Sequence, residues 1–303
     1  MSTHGSHLDP TVASLLKLPD DERIRALLAD RFICHEKVGA LLAECDYLAH
    51  RPPSLRPRGL LVCAPSGSGK TAFANALVRR YACHPATRLK AATKPVLLIS
   101  MVNARDAEEI YRRLLEDLGC QRANRYTGKE RRSMTLELAR AANVQMVIFD
   151  EVQDLLNITP RQRVLALMGI KDLMNSLLLP IVALGTQEAR YALESDQHLH
   201  ARFAFRALPV WESDDYFRHF LESFESSLPL KRRSNLGSLT MMRSIIKATQ
   251  GRLADIVWRL QIAAALAVGG EERVTPDLFH RSAYEFPTIV PAPSSQRRKP
   301  HGP

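Results

Sequence analysis

The octapeptide APSGSGKT, residues 64–71, sits directly behind the apolar run GLLVC at 59–63, and an apolar pattern resumes in AFANALV at 72–78. The run reads as a short buried strand and the later pattern as a helix, so the octapeptide is a strand-to-helix turn. That context narrows the fold sharply. Backbone N–H groups from Gly67 through Thr71 can surround phosphate oxygens at a helix amino terminus, Lys70 can neutralise β- and γ-phosphates, and the Thr71 hydroxyl can ligate Mg²⁺. Pro65, Ser66, Gly67, Ser68 and Gly69 complete the set expected to cradle ATP. Ala64 stands where the first glycine of the usual pattern falls.

The rest of the chain supplies elements to flank this turn. KPVLLIS (94–100) predicts a second strand, VQMVIFDE (144–151) a third and PIVALGT (180–186) a fourth. Residues 105–118 fit an amphipathic helix with Ile110, Leu114, Leu115 and Leu118 on one face and Gly119 at its end. A polar, basic stretch at 121–132 precedes a helix near 133–142, and Thr159-Pro160 opens another with a capping hydroxyl and a proline at the first helical position. Strands separated by helices imply right-handed crossovers and a mostly parallel sheet covered on both faces. The reading divides the chain into an N-terminal helical segment (1–50), this α/β core (51–208), a small all-helical domain (209–286) and a basic, proline-rich tail (287–303). In the helical domain Ser213 is the expected cap of a first helix carrying Phe217, Phe220, Leu221 and Phe224, with further helices at 238–249, 252–268 and 276–285.

Carboxylates arrive where phosphates would lie. Asp150 and Glu151 end the third strand, bringing an acidic pair to the same sheet edge as the phosphate loop, one strand position away from it. Asp150 is expected to hold Mg²⁺ together with Thr71, and Glu151 to orient or deprotonate the attacking water, which makes hydrolysis plausible beyond binding. Thr186, at the end of the fourth strand, can touch the γ-phosphate or that water. Arg202 and Arg206, near the end of the core, can reach a neighbouring subunit's nucleotide, with Arg202 the first choice.

Composition removes several classes. A formal net charge of +10 favours an anionic partner, and a 46% hydrophobic content over 303 residues excludes a disordered chain. Five scattered cysteines without C-x-x-C spacing indicate neither a disulfide framework nor a zinc site. No apolar run approaches the ~20 residues of a membrane span, and the start lacks a basic segment followed by an apolar core. A reducing cytosol fits these features.

The ordered segments APSGSGKT, KPVLLISM, VIFDEVQDLL, PIVALGTQEA, ARFAFRALPVWE, LPLKRRSNL and TQGRLADIVWRL resemble the TniB/TnsC family of AAA+ ATPases, TniB most closely, over roughly residues 25–285. The resemblance implies a P-loop AAA+ core with a helical lid, ATP hydrolysis, a homo-oligomer on target double-stranded DNA, and communication with a transposase or integrase and a TniQ-like targeting subunit. It assigns phosphate and magnesium contacts to Lys70 and Thr71, the metal-associated and catalytic acids to Asp150 and Glu151, a sensor to Thr186, and a finger acting across subunits to Arg202 or Arg206. The position of the second sensor arginine, three residues after Gly251, holds Ala254, leaving Arg252 as a substitute. Related ATPases present pore-facing elements after the second strand-helix unit, which here carries Arg122, Arg125, Thr127, Lys129, Arg131 and Arg132 with a single Glu130. Such a set can neutralise several phosphates without reading bases, or form a solvated charged loop. Competing functions are an initiator-like replication or helicase-loading factor, and a nucleotide-dependent scaffold or signalling switch.

Overall fold

The structure, a computed structural model, describes residues 7–85, 92–208 and 210–288. It divides into two compact units, one of Cys34–Val210 and one of Met1–Ile33 with Trp211–Pro303. The chain opens in the second of these with α1 (Pro10–Ala13) and α2 (Asp20–Leu28). The α/β unit then runs through α3 (Glu36–His50), β1 (Gly59–Cys63), α4 (Lys70–Arg80), β2 (Val96–Ser100), α5 (Ala107–Asp117) and α6 (Gly128–Ala141). It continues with β3 (Met146–Asp150), α7 (Pro160–Leu177), β4 (Ile181–Gly185), α8 (Ala189–Glu194), α9 (Gln197–His200) and β5 (Phe203–Ala207). The helical unit resumes with α10 (Asp215–Ser226), α11 (Leu239–Thr249), α12 (Leu253–Ala267) and α13 (Pro276–Arg281).

All strand pairings are parallel, in the order β2-β3-β4-β1-β5. Every residue of β1, β3 and β4 is buried, as strands covered on both faces require. Packing explains the helices against them: α5 sinks Ile110, Tyr111 and Leu114 into a core with Leu97, Phe149 and Leu173. Full burial of each such side chain contributes about 1.5–3 kcal/mol. Asp106 starts α5 by accepting from Glu109 N–H at 2.8 Å, and Gly119, at φ 92°, ends it in a conformation that favours glycine. Thr159 opens α7 through a reciprocal pair of bonds with Gln162, ahead of Pro160.

Four expectations need correction. A fifth strand exists: FAFRA pairs with β1 at the sheet edge, and its half-exposed pattern lacks the continuous apolar run that marks the central strands. The acidic pair is two strand positions from the phosphate loop, because β4 lies between β1 and β3. Helix α6 starts at Gly128, five residues earlier than its apolar periodicity indicates, because Thr127 and Glu130 form a capping box. Asp214, one residue beyond Ser213, caps α10 by accepting from Phe217 N–H at 2.8 Å.

Residues 1–50 are also not one structural segment. In the α/β unit, α3 is tied down by Asp46, which accepts from Tyr81 Oη at 2.9 Å and pairs with Arg80 at 2.7 Å. In the helical unit, α2 buries Leu27 among Phe217, Phe224, Ile245 and Leu260. Its Arg23, 1% exposed, donates to Glu272 Oε1 at 3.0 Å and to the Pro229 carbonyl at 2.9 Å. Burial opposes ionisation of Glu272, but Arg23, the Gly269 N–H and Lys231 outweigh it and hold the carboxyl at about 2. Removing one partner of such a buried pair costs about 3–5 kcal/mol, and the apolar burial of Leu27, with Ile24 and Leu28 packed against the same cluster, accounts for an N-terminal helix belonging with the C-terminal ones. Pro287 and Thr288 are the last described residues, so nearly all of the expected tail lies outside the described residues.

Candidate active site

Register fixes what meets at the carboxyl edge of the sheet. Cys63 pairs with Gly185 on one side and Ala207 on the other, and Phe149 pairs with Ala183. The segments behind β1, β3 and β4 therefore emerge side by side: the octapeptide, Asp150-Glu151 and Thr186.

The octapeptide turns through Gly67 at φ 75° and Gly69 at φ 86°. Both lie in the left-handed region, where glycine carries no side-chain penalty. Gly69 is the residue capping α4, and having no side chain it makes no capping bond to the helix's first N–H groups. A helix start of this kind is a ready anion site. Lys70 is 6% exposed, and its Nζ donates to the carbonyls of Ala64 and Pro65, both at 3.0 Å. Among the described residues no carboxylate lies within ion-pair distance of it. Thr71 Oγ1 donates to Asp150 Oδ2 at 3.0 Å, and Glu151 N–H to Asp150 Oδ1 at 2.9 Å. Burial pushes the Asp150 carboxyl up, and the charge of Glu151 adds to this. The bonds from Thr71 and Glu151 and the charge of Lys70 work in the opposite sense.

A buried ammonium held only by carbonyls and a desolvated carboxylate pushed toward its neutral form are both costly. Anionic oxygens at Lys70 and a divalent cation beside Thr71 and Asp150 would relieve both costs. The donor set therefore fits a magnesium-bound nucleotide phosphate.

Glu151 itself is at φ 58°, an unusual backbone for a residue with a side chain, and of a kind concentrated at functional sites. Its carboxylate accepts from Gln153 Nε2, whose Oε1 accepts from Thr186 N–H at 3.1 Å. The Thr186 hydroxyl bonds to the Glu188 carboxylate and draws that group down. Sequence reasoning missed Gln153. The signal was available: a second polar side chain two residues beyond Glu151, in a turn otherwise anchored by the buried Val152 and Leu155.

The arginines fall elsewhere. Arg202 is at the amino end of β5, where its carbonyl accepts from Gly59 N–H at 2.9 Å, and its Nη1 donates to Asn175 Oδ1 at 2.8 Å. It is therefore at the opposite sheet edge from its own phosphate loop. Arg206, one residue before the strand's end, makes a two-pronged pair with Glu44 of α3, at 2.9 and 2.8 Å. Arg252 belongs to the helical unit and pairs with Asp255 at 2.7 Å at the start of α12.

The basic stretch splits into two groups. Arg132 donates twice to Asp172 of α7, at 2.6 and 2.8 Å, and once to Ser176 at 3.0 Å. Arg131 bonds the Ala123 carbonyl at 3.2 Å and pairs with Glu108 at 3.6 Å, while Thr127 is engaged as the cap of α6. Arg122, Arg125 and Lys129 are exposed, and among the described residues none of them forms an ion pair.

These parts define a class. A parallel sheet in this order, with a glycine-rich turn behind β1, a carboxylate pair behind β3 and a helical unit, is the α/β architecture of the AAA+ P-loop ATPases. The family described as "Bacterial TniB protein" matches residues 23–213, more than half of the chain, and the protein belongs to the TniB family. Among solved structures, the ORC2 protein of Aeropyrum pernix, in ADPNP-ADP complexes, is similar at TM-score 0.60 and 15% identity, over 85% of this chain and 70% of that one. The ORC1 protein of the same organism, in complex with DNA, gives 0.59 and 17%, over 86% and 68%. Cdc6p from Pyrobaculum aerophilum gives 0.58 and 16%, over 89% and 72%. At these identities the likeness is one of fold. No curated protein sequence matches the chain. Among the described residues no helix is long and apolar enough to cross a membrane.

Proposed function

We propose that this TniB-family protein is a magnesium-dependent ATPase that assembles as a homo-oligomer on double-stranded DNA and regulates transposition by recruiting and activating a transposase. The observation that carries the ATPase reading is the convergence of Lys70, Thr71, Asp150, Glu151 and Thr186 at one sheet edge, with the ammonium and the carboxylate both lacking a counter-charge of full strength. Bound ATP with Mg²⁺ would supply the scissile phosphate bond and the missing charges. Lys70 and the N–H groups from Gly67 to Thr71 hold phosphate oxygens, and Thr71 and Asp150 hold the cation. Glu151 takes the proton of the attacking water, with Thr186 orienting that water or the terminal phosphate.

Arg202 enters only through assembly. Its place at the opposite edge from its own loop means that it can serve a nucleotide only on a neighbouring copy, so hydrolysis depends on oligomerisation. Arg206 serves as a second candidate if it leaves Glu44, and Arg252 as a weak second sensor. Arg122, Arg125 and Lys129 supply phosphate contacts of low sequence selectivity. The DNA complex of the similar ORC1 protein is consistent with this use of the fold. The transposase and a TniQ-like targeting subunit follow from the family, as does a bacterial cytoplasmic location.

Glu151→Gln tests the whole proposal, because it keeps the shape of the site and removes the base. With ATP and random-sequence duplex DNA, the variant should form persistent, ordered assemblies around the DNA in electron micrographs. Turnover should fall by roughly 10²–10⁴-fold, the contribution typical of a positioned base. Monomers that leave the DNA bare in the presence of ATP would overturn it.

A further inference from the structure

Gln153 spans two elements with one side-chain amide. Its Nε2 donates to Glu151 Oε2, and its Oε1 accepts from Thr186 N–H at 3.1 Å. The chemistry of the partners fixes this orientation: a carboxylate can only accept and a backbone N–H can only donate, so a reversed amide would set oxygen against oxygen and N–H against N–H. The turn that carries Gln153, Val152–Leu156, is anchored by Val152 and Leu155, both fully buried. Room for the amide depends on Gly185, since a Cβ there would lie 2.7 Å from Gln153 Oε1 and 2.5 Å from the Ala189 Cβ. Among the described residues, Gln153 is the donor that the Glu151 side chain has. One carboxylate oxygen, Oε2, is held, and among the described residues the other takes part in no hydrogen bond.

We infer that Gln153 is a positioning residue that clamps the Glu151 carboxylate to the end of β4. The inference rests on the ATPase reading above and deepens it. A base on a freely rotating two-carbon stem, on a residue with a left-handed backbone, would spend little of its time aimed at water. The amide removes that freedom. It also places the base under the control of the Thr186 backbone, so the two groups expected at the water and the terminal phosphate are held as one unit.

Two substitutions test it, Gln153→Met, which keeps length without a donor or acceptor, and Gln153→Glu, which keeps the acceptor for Thr186 N–H and replaces the donor by a second carboxylate. Fluorescent ATP-analogue binding, steady-state ATPase rates with DNA and the pH dependence of kcat are measured on both and on wild type. Gln153→Met should lower kcat by about 10–100-fold with KM within about twofold of wild type, the signature of an interaction used in the transition state. Gln153→Glu should move the acid limb of the kcat profile upward by about one pH unit or more, because two adjoining carboxylates share a proton. Wild-type kcat in both variants overturns the inference. A loss of kcat in both with an unmoved acid limb marks a merely structural side chain and overturns it too, and the Gln153→Glu profile decides the matter if Gln153→Met folds poorly. A wild-type protein that binds the analogue and hydrolyses ATP, beside unaffected variants, isolates the failure to Gln153. A wild-type protein that does neither removes the ATPase reading and this inference with it.

Discussion

The phosphate loop and the basic stretch at 121–132, which runs into α6, both look like anion receptors in the sequence, and the structure treats them in opposite ways. Around the loop, charge is answered only in part within the chain: Lys70 is buried against two carbonyl oxygens, and Asp150 is desolvated with bonds only from Thr71 and the Glu151 N–H among the described residues. In the basic stretch much of the charge is already answered within the chain. Asp172 gathers Arg132, Ser176 and the Tyr111 hydroxyl, and Glu108 faces Arg131. A buried charge with no internal partner is expensive to fold and is retained where an outside partner completes it. A charge paired across helices is there to hold the helices. The contrast separates charge that the fold leaves open from charge that the fold already uses.

The largest effect expected from this contrast is at Lys70. Lys70→Ala removes the buried ammonium of the loop and should weaken ATP-analogue affinity by at least about 100-fold, the loss of a charge-assisted bond in a desolvated site. Because the two carbonyl bonds that are lost offset the cost of burying the ammonium, thermal stability without nucleotide should change little. Calorimetric titration and a melting curve read the two quantities separately. Nucleotide affinity that survives the substitution would break the comparison at its first limb.

The next effect is smaller and divides the basic stretch in two. Replacing Arg122, Arg125 and Lys129 together by alanine should reduce the slope of log affinity against log salt for duplex DNA by about 2–3, close to one for each phosphate that is no longer neutralised. Affinity near physiological salt should fall by roughly tenfold or more. Arg132→Met should leave that slope unchanged, because its guanidinium is committed to Asp172 and Ser176. Equal effects from the two variants would erase the distinction between free and committed charge.

The same contrast explains which parts of the molecule are legible in its sequence. The octapeptide is legible because its chemistry is local: glycines permit the turn, the adjoining strand and helix aim it, and all the binding groups lie within eight residues of chain. Asp150 and Glu151 are legible for the same reason, as the end of a buried apolar strand. The position of β4 between β1 and β3 is not, since strand order depends on crossovers that no single segment encodes. Strand β5 is hidden because an edge strand need not be apolar, and its Arg206 looks like a surface residue until Glu44, 162 positions away in the chain, is found beside it. Arg132 and Asp172, 40 residues apart, and Arg23 and Glu272, 249 residues apart, are hidden by the same distance. Gln153 was within reach, two residues from Glu151, but its second partner is Thr186, just beyond β4 and 33 positions away in the chain.

The smallest effect is on stability, and its sign differs between the two regions. Burial raises the Asp150 pKa in the folded chain above its ordinary value of 3.8. A carboxyl group of this kind binds its proton more tightly in the native than in the unfolded state, so stability falls as pH rises from about 3.8 through the folded value, and the cost is complete above that value. An asparagine in its place would carry no such cost, and the Thr71 hydroxyl can turn to accept from an amide where it now donates to the carboxylate. Asp150→Asn should therefore stabilise the nucleotide-free protein at pH 7, with the advantage shrinking as pH is lowered toward about 3.8. Adding ATP and Mg²⁺ should reverse the order, because wild type then gains a cation partner that the variant cannot hold. Arg132→Met should go the other way, losing up to about 1 kcal/mol at neutral pH with or without nucleotide, the scale of a half-exposed pair. Urea unfolding of the three proteins at several pH values checks both signs. A destabilised Asp150→Asn protein in the absence of nucleotide would show that the carboxylate holds the sheet edge together, and would remove the main physical ground for regarding the site as built to take a divalent cation.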